Sequence, residues 1–228
     1  MELKPIARVR SPFGSKFGVP RQSGLAPAVR SRLVFEKEYR SRDCLRGIEG
    51  FSHLWLLWGF SENEDRGWSP TVRPPRLGGN ERVGVFASRS PFRPNPLGLS
   101  CVRLVKVEWE GSEGPALLLG GADLLDGTPV YDIKPYLAYA DSIPEAAGGF
   151  TGGERPAVLP VFCPEEERKK LPPETWAALE EALGCDPRPH YHQDPERLYG
   201  FSFAGREVRF RVTAEGVEVV SIEPVKGE

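Results

Sequence analysis

The sequence has no long apolar run. Its longest, Leu54-Trp55-Leu56-Leu57-Trp58, falls far short of the ~20 residues that a membrane-spanning helix needs. The first residues, Met1-Glu2-Leu3-Lys4-Pro5, lack the apolar core of an export signal, so a cytoplasmic protein is expected. Cysteine and histidine are scarce. Cys44, Cys101, Cys163 and Cys185 are scattered with no CxxC pair, and only His53, His190 and His192 could join them. No metal site is expected from such spacing, and free thiols in a reducing compartment are the simplest account. The chain also lacks G-x-G-x-x-G after a strand, G-x-x-x-x-G-K-[ST], G-x-S-x-G and H-E-x-x-H. The common nucleotide folds, serine hydrolases and zinc proteases lose their signatures with them. Finally, no long amphipathic helix separates the strand-like segments of the first two-thirds, which disfavours a parallel βαβ sheet.

What the first two-thirds do contain is period-two patterning. Leu33 and Phe35 alternate with charged neighbours, and Phe51 to Phe60 is a buried aromatic run. Val83 to Phe86 is short and apolar. Val102, Leu104, Val107 and Trp109 interleave with Arg103, Lys106 and Glu108, with one irregularity. Leu117-Leu118-Leu119 and Val130 to Ile133 complete the set. Frequent Gly and Pro breaks between these segments point to a closed or nearly closed antiparallel β-barrel over residues 1–145. The glycine-rich stretch Ala147 to Gly153 falls in a connecting segment, 146–162, and reads as an irregular loop. From 163 to 228 the pattern changes to a small α+β domain. Pro173 to Leu183 reads as a helix with Trp176, Leu179 and Leu183 on one face, followed by a three-stranded meander turning at Gly205 and Gly216.

Charge is divided unevenly. Residues 1–100 hold 17 Lys and Arg against 9 Asp and Glu, whereas residues 101–228 hold 13 against 23. A basic half on a nearly neutral chain suits an anionic ligand or nucleic acid, although a solvated basic surface would read the same way. The basic half contains the stiff loop Ser88-Arg89-Ser90-Pro91-Phe92-Arg93-Pro94-Asn95-Pro96, whose prolines forbid helix and central strand. Part of it recurs as Arg10-Ser11-Pro12-Phe13. A loop already short of conformational entropy is a good carrier of ligand-binding side chains.

Four clusters stand out: Ser11 to Gln22, Gly47 to Trp58, the Pro/Arg loop, and Leu124-Leu125-Asp126-Gly127-Thr128-Pro129 running on to Tyr136 and Asp141. Together, and with the tail segment Asp186-Pro187-Arg188-Pro189-His190-Tyr191-His192 to Gly200, they closely resemble the TsaA-like family. The resemblance covers the first domain nearly end to end. It implies a single-sheet antiparallel β-barrel that binds S-adenosylmethionine, works as a homodimer, and methylates N6 of the adenosine at position 37 of tRNA, beside the anticodon. In the best-known members that adenosine already carries a threonylcarbamoyl group. Carried over, the cofactor contacts would be Pro20, Arg21, Gln22, His53, Leu54, Arg89, Leu99, Asp126, Gly127, Thr128 and Pro129.

The residue chemistry agrees with that implication. Arg21 or Arg89 can clamp a carboxylate with a planar fork, Asp126 can accept from an ammonium or a ribose, and Gly127 allows close backbone approach. Asp132, Tyr136 and Asp141, with His53, are the candidates for taking the N6 proton, and the sequence does not rank them. Each has a plainer alternative: His53 as a core histidine, Asp126-Gly127 as a simple turn, Asp132 and Lys134 as a surface pair. In the tail, Arg188, His190, Tyr191, Arg197, Arg209 and Arg211 are the expected RNA contacts. On that expectation a chain ending near Phe162 would keep its cofactor site and lose tRNA. A non-catalytic barrel acting as sensor or adaptor, and a methyltransferase for a small molecule, are the competing functions.

Overall fold

The computed structural model describes residues 2–152, 155–189 and 194–225. Six strands close a barrel: β1 (Ala7–Arg10), β2 (Arg30–Phe35), β3 (His53–Gly59), β6 (Leu97–Glu108), β7 (Ala116–Gly120) and β8 (Pro129–Pro135). Their order around it is β1-β2-β7-β6-β3-β8, and every neighbour is antiparallel. A short ribbon, β4 (Thr71–Val72) with β5 (Val83–Gly84), lies in the long connection between β3 and β6.

Alternation fills the interior. Leu54 and Leu56 of β3, Val102 and Leu104 of β6, Leu117 and Leu119 of β7, Leu33 of β2 and Val130 of β8 turn inward into one core. Their odd-numbered β3 neighbours, Trp55 and Leu57, take the outer face. Closure needs bending, and it comes at two irregularities: between Leu57 and Trp58 where β3 meets β8, and between Leu104 and Lys106 where β6 meets β7. The second is the irregularity expected in that strand.

After α1 (Ala138–Asp141), a second sheet orders as β10-β11-β12-β9, built from β9 (Val161–Phe162), β10 (Tyr199–Phe203), β11 (Arg206–Val212) and β12 (Val217–Pro224). The three antiparallel strands are the expected meander, and β9 adds a fourth, parallel to β12. Two helices precede the meander, α2 (Glu165–Arg168) and α3 (Pro173–Gly184). α3 starts on Pro173 in its first turn and buries Trp176, Leu179 and Leu183, as its spacing requires.

The tail does not pack on itself alone. Its core includes Phe13, Ala26 and Val29 from the loop between β1 and β2, with Phe17 and Val19 packed against them. Phe13 meets Phe203 edge-on at 5.2 Å and forms an isolated bridge with it. Backbone bonds tie Ala204 to Pro12 at 2.7 Å and Gly14 to Ser202 at 3.4 Å. The Glu181 carboxylate accepts the Ala28 N–H at 2.5 Å. The sequence pattern sets residues 163–228 apart; the structure gives them and the 11–29 loop a common core. Polar and aromatic spacing in that loop conceals this, because its apolar residues follow neither a helix nor a strand period.

Candidate functional site

The 11–29 loop is the first piece of the site. Pinned at Phe13 and Phe17, it carries Pro20, buried, and then Arg21 and Gln22. Gly18 sits at φ +99°, and a Cβ there would stand 2.4 Å from the Phe201 ring, so the turn into Arg21 depends on glycine. Arg21 donates to the carbonyl of Arg188 at 3.0 Å. Partial desolvation pulls its guanidinium below the ordinary value; Asp186 opposes this, and the positive charge of Arg76 adds to it.

Arg89, on the Pro/Arg loop, reaches the same place and donates to the Gln22 amide oxygen. The loop is stiff for reasons beyond its prolines: Arg93 donates to the carbonyls of Ser88, at 2.7 Å, and Val85, at 3.2 Å. The turn at Asp126 and Gly127 completes this end of the barrel. Asp126 accepts the Ser11 N–H at 2.9 Å, and its own N–H donates to Phe13. Gly127 adopts φ +79° and donates to Val9 at 2.8 Å. Thr128 is buried and bonds back to Leu125 at 2.8 Å, and Pro129 is buried as β8 begins. Arg21, Gln22, Arg89 and the Asp126–Pro129 turn therefore share one end of the barrel.

His53, Leu54, Tyr136 and Asp141 lie at the other end. β3 runs from His53 to Gly59, and at ~3.3 Å per residue that is ~20 Å. His53 is exposed rather than buried in the aromatic run, and its Nδ1 lies 2.9 Å from the Ser52 hydroxyl. Its ring meets Tyr136 edge-on at 6.2 Å. Trp55 leans on Tyr136 at 5.8 Å and donates its Nε1–H to Asp141 at 3.0 Å; the Leu137 N–H donates to the same carboxylate oxygen at 2.8 Å. Burial, with Asp141 next in effect, pushes the nearby Cys101 thiol up. Leu54 itself is wholly inside the barrel, paired with Val102 on one side and Pro135 on the other. Asp132 stands apart from Tyr136 and Asp141: it pairs with Lys134 at 3.0 Å on the outer face, the plainer alternative for it. Leu99, also on that face, is 57% exposed and sits opposite Leu57.

A cleft of about 200 Å³ opens beside Thr128, lined by Trp58, Phe60, Asn63, Asp123 and Leu125, with Lys16 at its edge. Here the pattern reading missed residues. Trp58 Nε1–H donates to the Ser100 hydroxyl at 3.0 Å, which donates to Asp123 at 2.7 Å. Burial raises the Asp123 carboxyl above its ordinary value, against Ser100, backbone N–H groups including that of Ser23, and Arg89. Asp123 thus joins the cleft to the Arg21–Arg89 cluster. The one available signal was Ser100, a hydroxyl in the inward row that continues with Val102 and Leu104 of β6.

The tail residues are dispersed. Arg188 bonds Asp186 at 3.1 Å, Arg197 lies over the Tyr199 ring at 5.5 Å, and Arg209 is exposed on β11 with Arg211 half-buried beyond it. His190 and Tyr191 fall outside the described residues. Among the described residues no group of His, Cys, Asp and Glu could hold a metal, and no helix is long and apolar enough to cross a membrane.

Residues 8–142 match the tRNA-methyltransferase O N-terminal domain, and residues 162–225 match the TrmO C-terminal domain. A tRNA (adenine(37)-N6)-methyltransferase of Escherichia coli K12 is 44% identical over 231 residues, covering 98% of each chain. A Pyrococcus abyssi protein, "Probable S-adenosyl-L-methionine-binding protein", is 38% identical over 138 residues, 60% of this chain and 69% of that one. The crystal structure of TrmO from Pseudomonas aeruginosa superposes with TM-score 0.77 at 34% identity, covering 97% of both chains.

Proposed function

Because this chain belongs to the tRNA-methyltransferase O family, we propose that it transfers a methyl group from S-adenosylmethionine to N6 of adenosine 37 in tRNA. The observation that carries the reading is the gathering of Arg21, Gln22, Arg89 and the Asp126–Pro129 turn at one end of the barrel, in a chain that matches both family domains. Those residues fit the cofactor's polar groups. Arg89 is exposed, bonded to a neutral amide, and in no ion pair with a described carboxylate, so its fork is open to the amino-acid carboxylate. Asp126 uses one oxygen on Ser11 and keeps the other for a ribose hydroxyl or the ammonium.

When bound, S-adenosylmethionine supplies an electrophilic methyl on a sulfonium centre, displaced in line. What the chain adds is alignment of donor and acceptor, which a stiff loop and a pinned turn provide. As the N6–methyl bond forms, the N6 proton must leave. Asp141, held by Trp55 and the Leu137 N–H, with Tyr136 beside it, is the group we assign to receive it. Prior threonylcarbamoylation of the adenosine fits the same reading.

The separation between the two ends of the barrel favours a second copy that completes the site. His53, Tyr136 and Asp141 are ~20 Å along β3 from the Arg89 end, so one cofactor does not reach both groups in one chain. The outer face of β3 and β6 between them presents Trp55, Leu57 and exposed Leu99. A two-fold pairing through that face would bring the His53 end of one copy to the Arg89 end of the other.

Mass spectrometry of tRNA nucleosides from cells with and without the protein tests the activity; an unchanged N6-methyl signal would remove it. The composite site is tested by mixing: His53→Ala and Arg89→Ala proteins, each inactive, should regain activity when refolded together. A fully active monomer by light scattering would end the dimer reading.

A further inference from the structure

We infer that tRNA docks on the arm formed by residues 66–96, between β3 and β6, rather than on the tail. The inference rests on the tRNA-methyltransferase reading and adds where the substrate sits. The arm carries six arginines, Arg66, Arg73, Arg76, Arg82, Arg89 and Arg93, against one acidic residue, Glu81. None of the six is in an ion pair with a described carboxylate, and Arg66, Arg73, Arg76 and Arg82 are exposed. A surface of this kind, rich in one sign of charge, suits a polyanion.

Two large rings lie among these charges. Trp68 is 58% exposed and Phe86 is 78% exposed. The Arg93 guanidinium stands 6.0 Å over the Phe86 ring, giving a mixed cationic and aromatic face. Unpaired bases of an RNA loop stack on such faces while arginines hold the phosphates. The arm is also built to hold its shape. Thr71 and Val72 pair with Gly84 and Val83, Val85 donates to Pro70 at 3.0 Å, and six prolines, at 70, 74, 75, 91, 94 and 96, stiffen the rest. It leads directly to the cofactor loop: Arg89 bonds Gln22, and the charge of Arg76 is felt at Arg21. An RNA held on the arm would present a nucleotide at the methyl donor.

The tail offers a weaker case. Residues 163–228 hold 9 Lys and Arg against 14 Asp and Glu. Several of its cations are already matched: Arg188 with Asp186, Lys169 with Glu165, and Lys170 with both Glu167 and Glu223. A net negative surface repels the phosphate backbone at long range, whatever single arginines do.

The test compares two full-length variants against wild type, with folding checked by circular dichroism and adenosylmethionine affinity by calorimetry. One combines Arg66→Gln, Arg73→Gln and Arg82→Gln; the other combines Arg197→Gln and Arg209→Gln. Binding of tRNA carrying threonylcarbamoyladenosine at position 37 is measured across salt concentration. The arm variant should lose at least tenfold in tRNA affinity. Its salt slope should fall by about 2, at ~0.7 for each single-strand phosphate that is no longer neutralised. Its adenosylmethionine affinity should not change, and methyl transfer should recover at high tRNA concentration. The tail variant should bind tRNA within twofold of wild type. An arm variant with wild-type affinity and slope overturns the inference, and so does a tail variant that weakens as much as the arm variant. If wild-type protein neither binds nor methylates tRNA, the functional reading itself fails and takes this inference with it.

Discussion

Replacing Gly18 with alanine should damage cofactor binding from a position outside the proposed contact residues. Gly18 lies at φ +99°, three residues before Arg21, with the ring of Phe201 beside it. An added Cβ would stand 2.4, 2.6 and 2.8 Å from three ring carbons. Phe201 cannot step aside, because it is buried in the tail core against Phe17, Phe203 and Phe210. The cost has two parts. A left-handed conformation for a residue with a Cβ costs about 1–2 kcal/mol. Forcing a methyl into a packed core costs about 1–3 kcal/mol more. The least costly relief is for the loop to leave its seat, taking Arg21 and Gln22 with it. Apparent affinity falls by the fraction of molecules still seated, so ~2 kcal/mol of strain weakens adenosylmethionine binding by up to about 30-fold, less by whatever free energy seats the loop in the wild type. Gly24→Ala is the control. Its φ is +75°, but nothing lies within 4 Å of the added Cβ, so it carries the backbone cost without the clash. Calorimetry and thermal melts on both variants separate the two parts. A folded Gly18→Ala protein that binds the cofactor as tightly as wild type would refute the idea that the tail holds the cofactor loop.

Three further outcomes are expected. Arg89→Ala should weaken adenosylmethionine binding by about 2–3 kcal/mol, the range for removing a charge-assisted pair, and unchanged calorimetric affinity would take Arg89 out of the site. A chain ending at Phe162 should lose cofactor affinity, because Phe13, Phe17 and Val29 lose their partners, and should keep the tRNA affinity that the arm carries; this replaces the expectation of a self-sufficient barrel, and a truncation that binds adenosylmethionine like the full chain would restore it. Cys163 has its thiol pushed up to about 11 by burial and then by Glu167, so it stays protonated at neutral pH, whereas Cys44 is exposed; iodoacetamide at pH 8 followed by peptide mapping should label Cys44 first, and early labelling of Cys163 would contradict its environment.

The barrel and the tail helix were legible because both rest on local repetition. Period-two alternation in β2, β3, β6 and β8 records which side chains turn inward, and the 3-, 4- and 7-residue spacing of Trp176, Leu179 and Leu183 records a helix face. Chemistry-bearing loops were legible by composition, since Pro, Arg and Gly have few roles outside turns and binding loops. Their grouping was not. Nothing in the order of residues says that Arg21, Arg89 and Asp126 share one end of the barrel while His53 and Asp141 share the other; strand register and barrel closure decide that. Nor does local pattern reveal that Phe13, Phe17 and Val19 belong to the core of a domain at the far end of the chain, because residues that pack singly from a loop leave no period. The same holds for Asp123, which became a hub between cleft and cofactor loop only when β6 carried Ser100 beside it. Sequence determined the elements and the chemical inventory, through short-range periodicity; tertiary structure alone decided which of those groups face one another, because that depends on contacts between residues far apart in the chain.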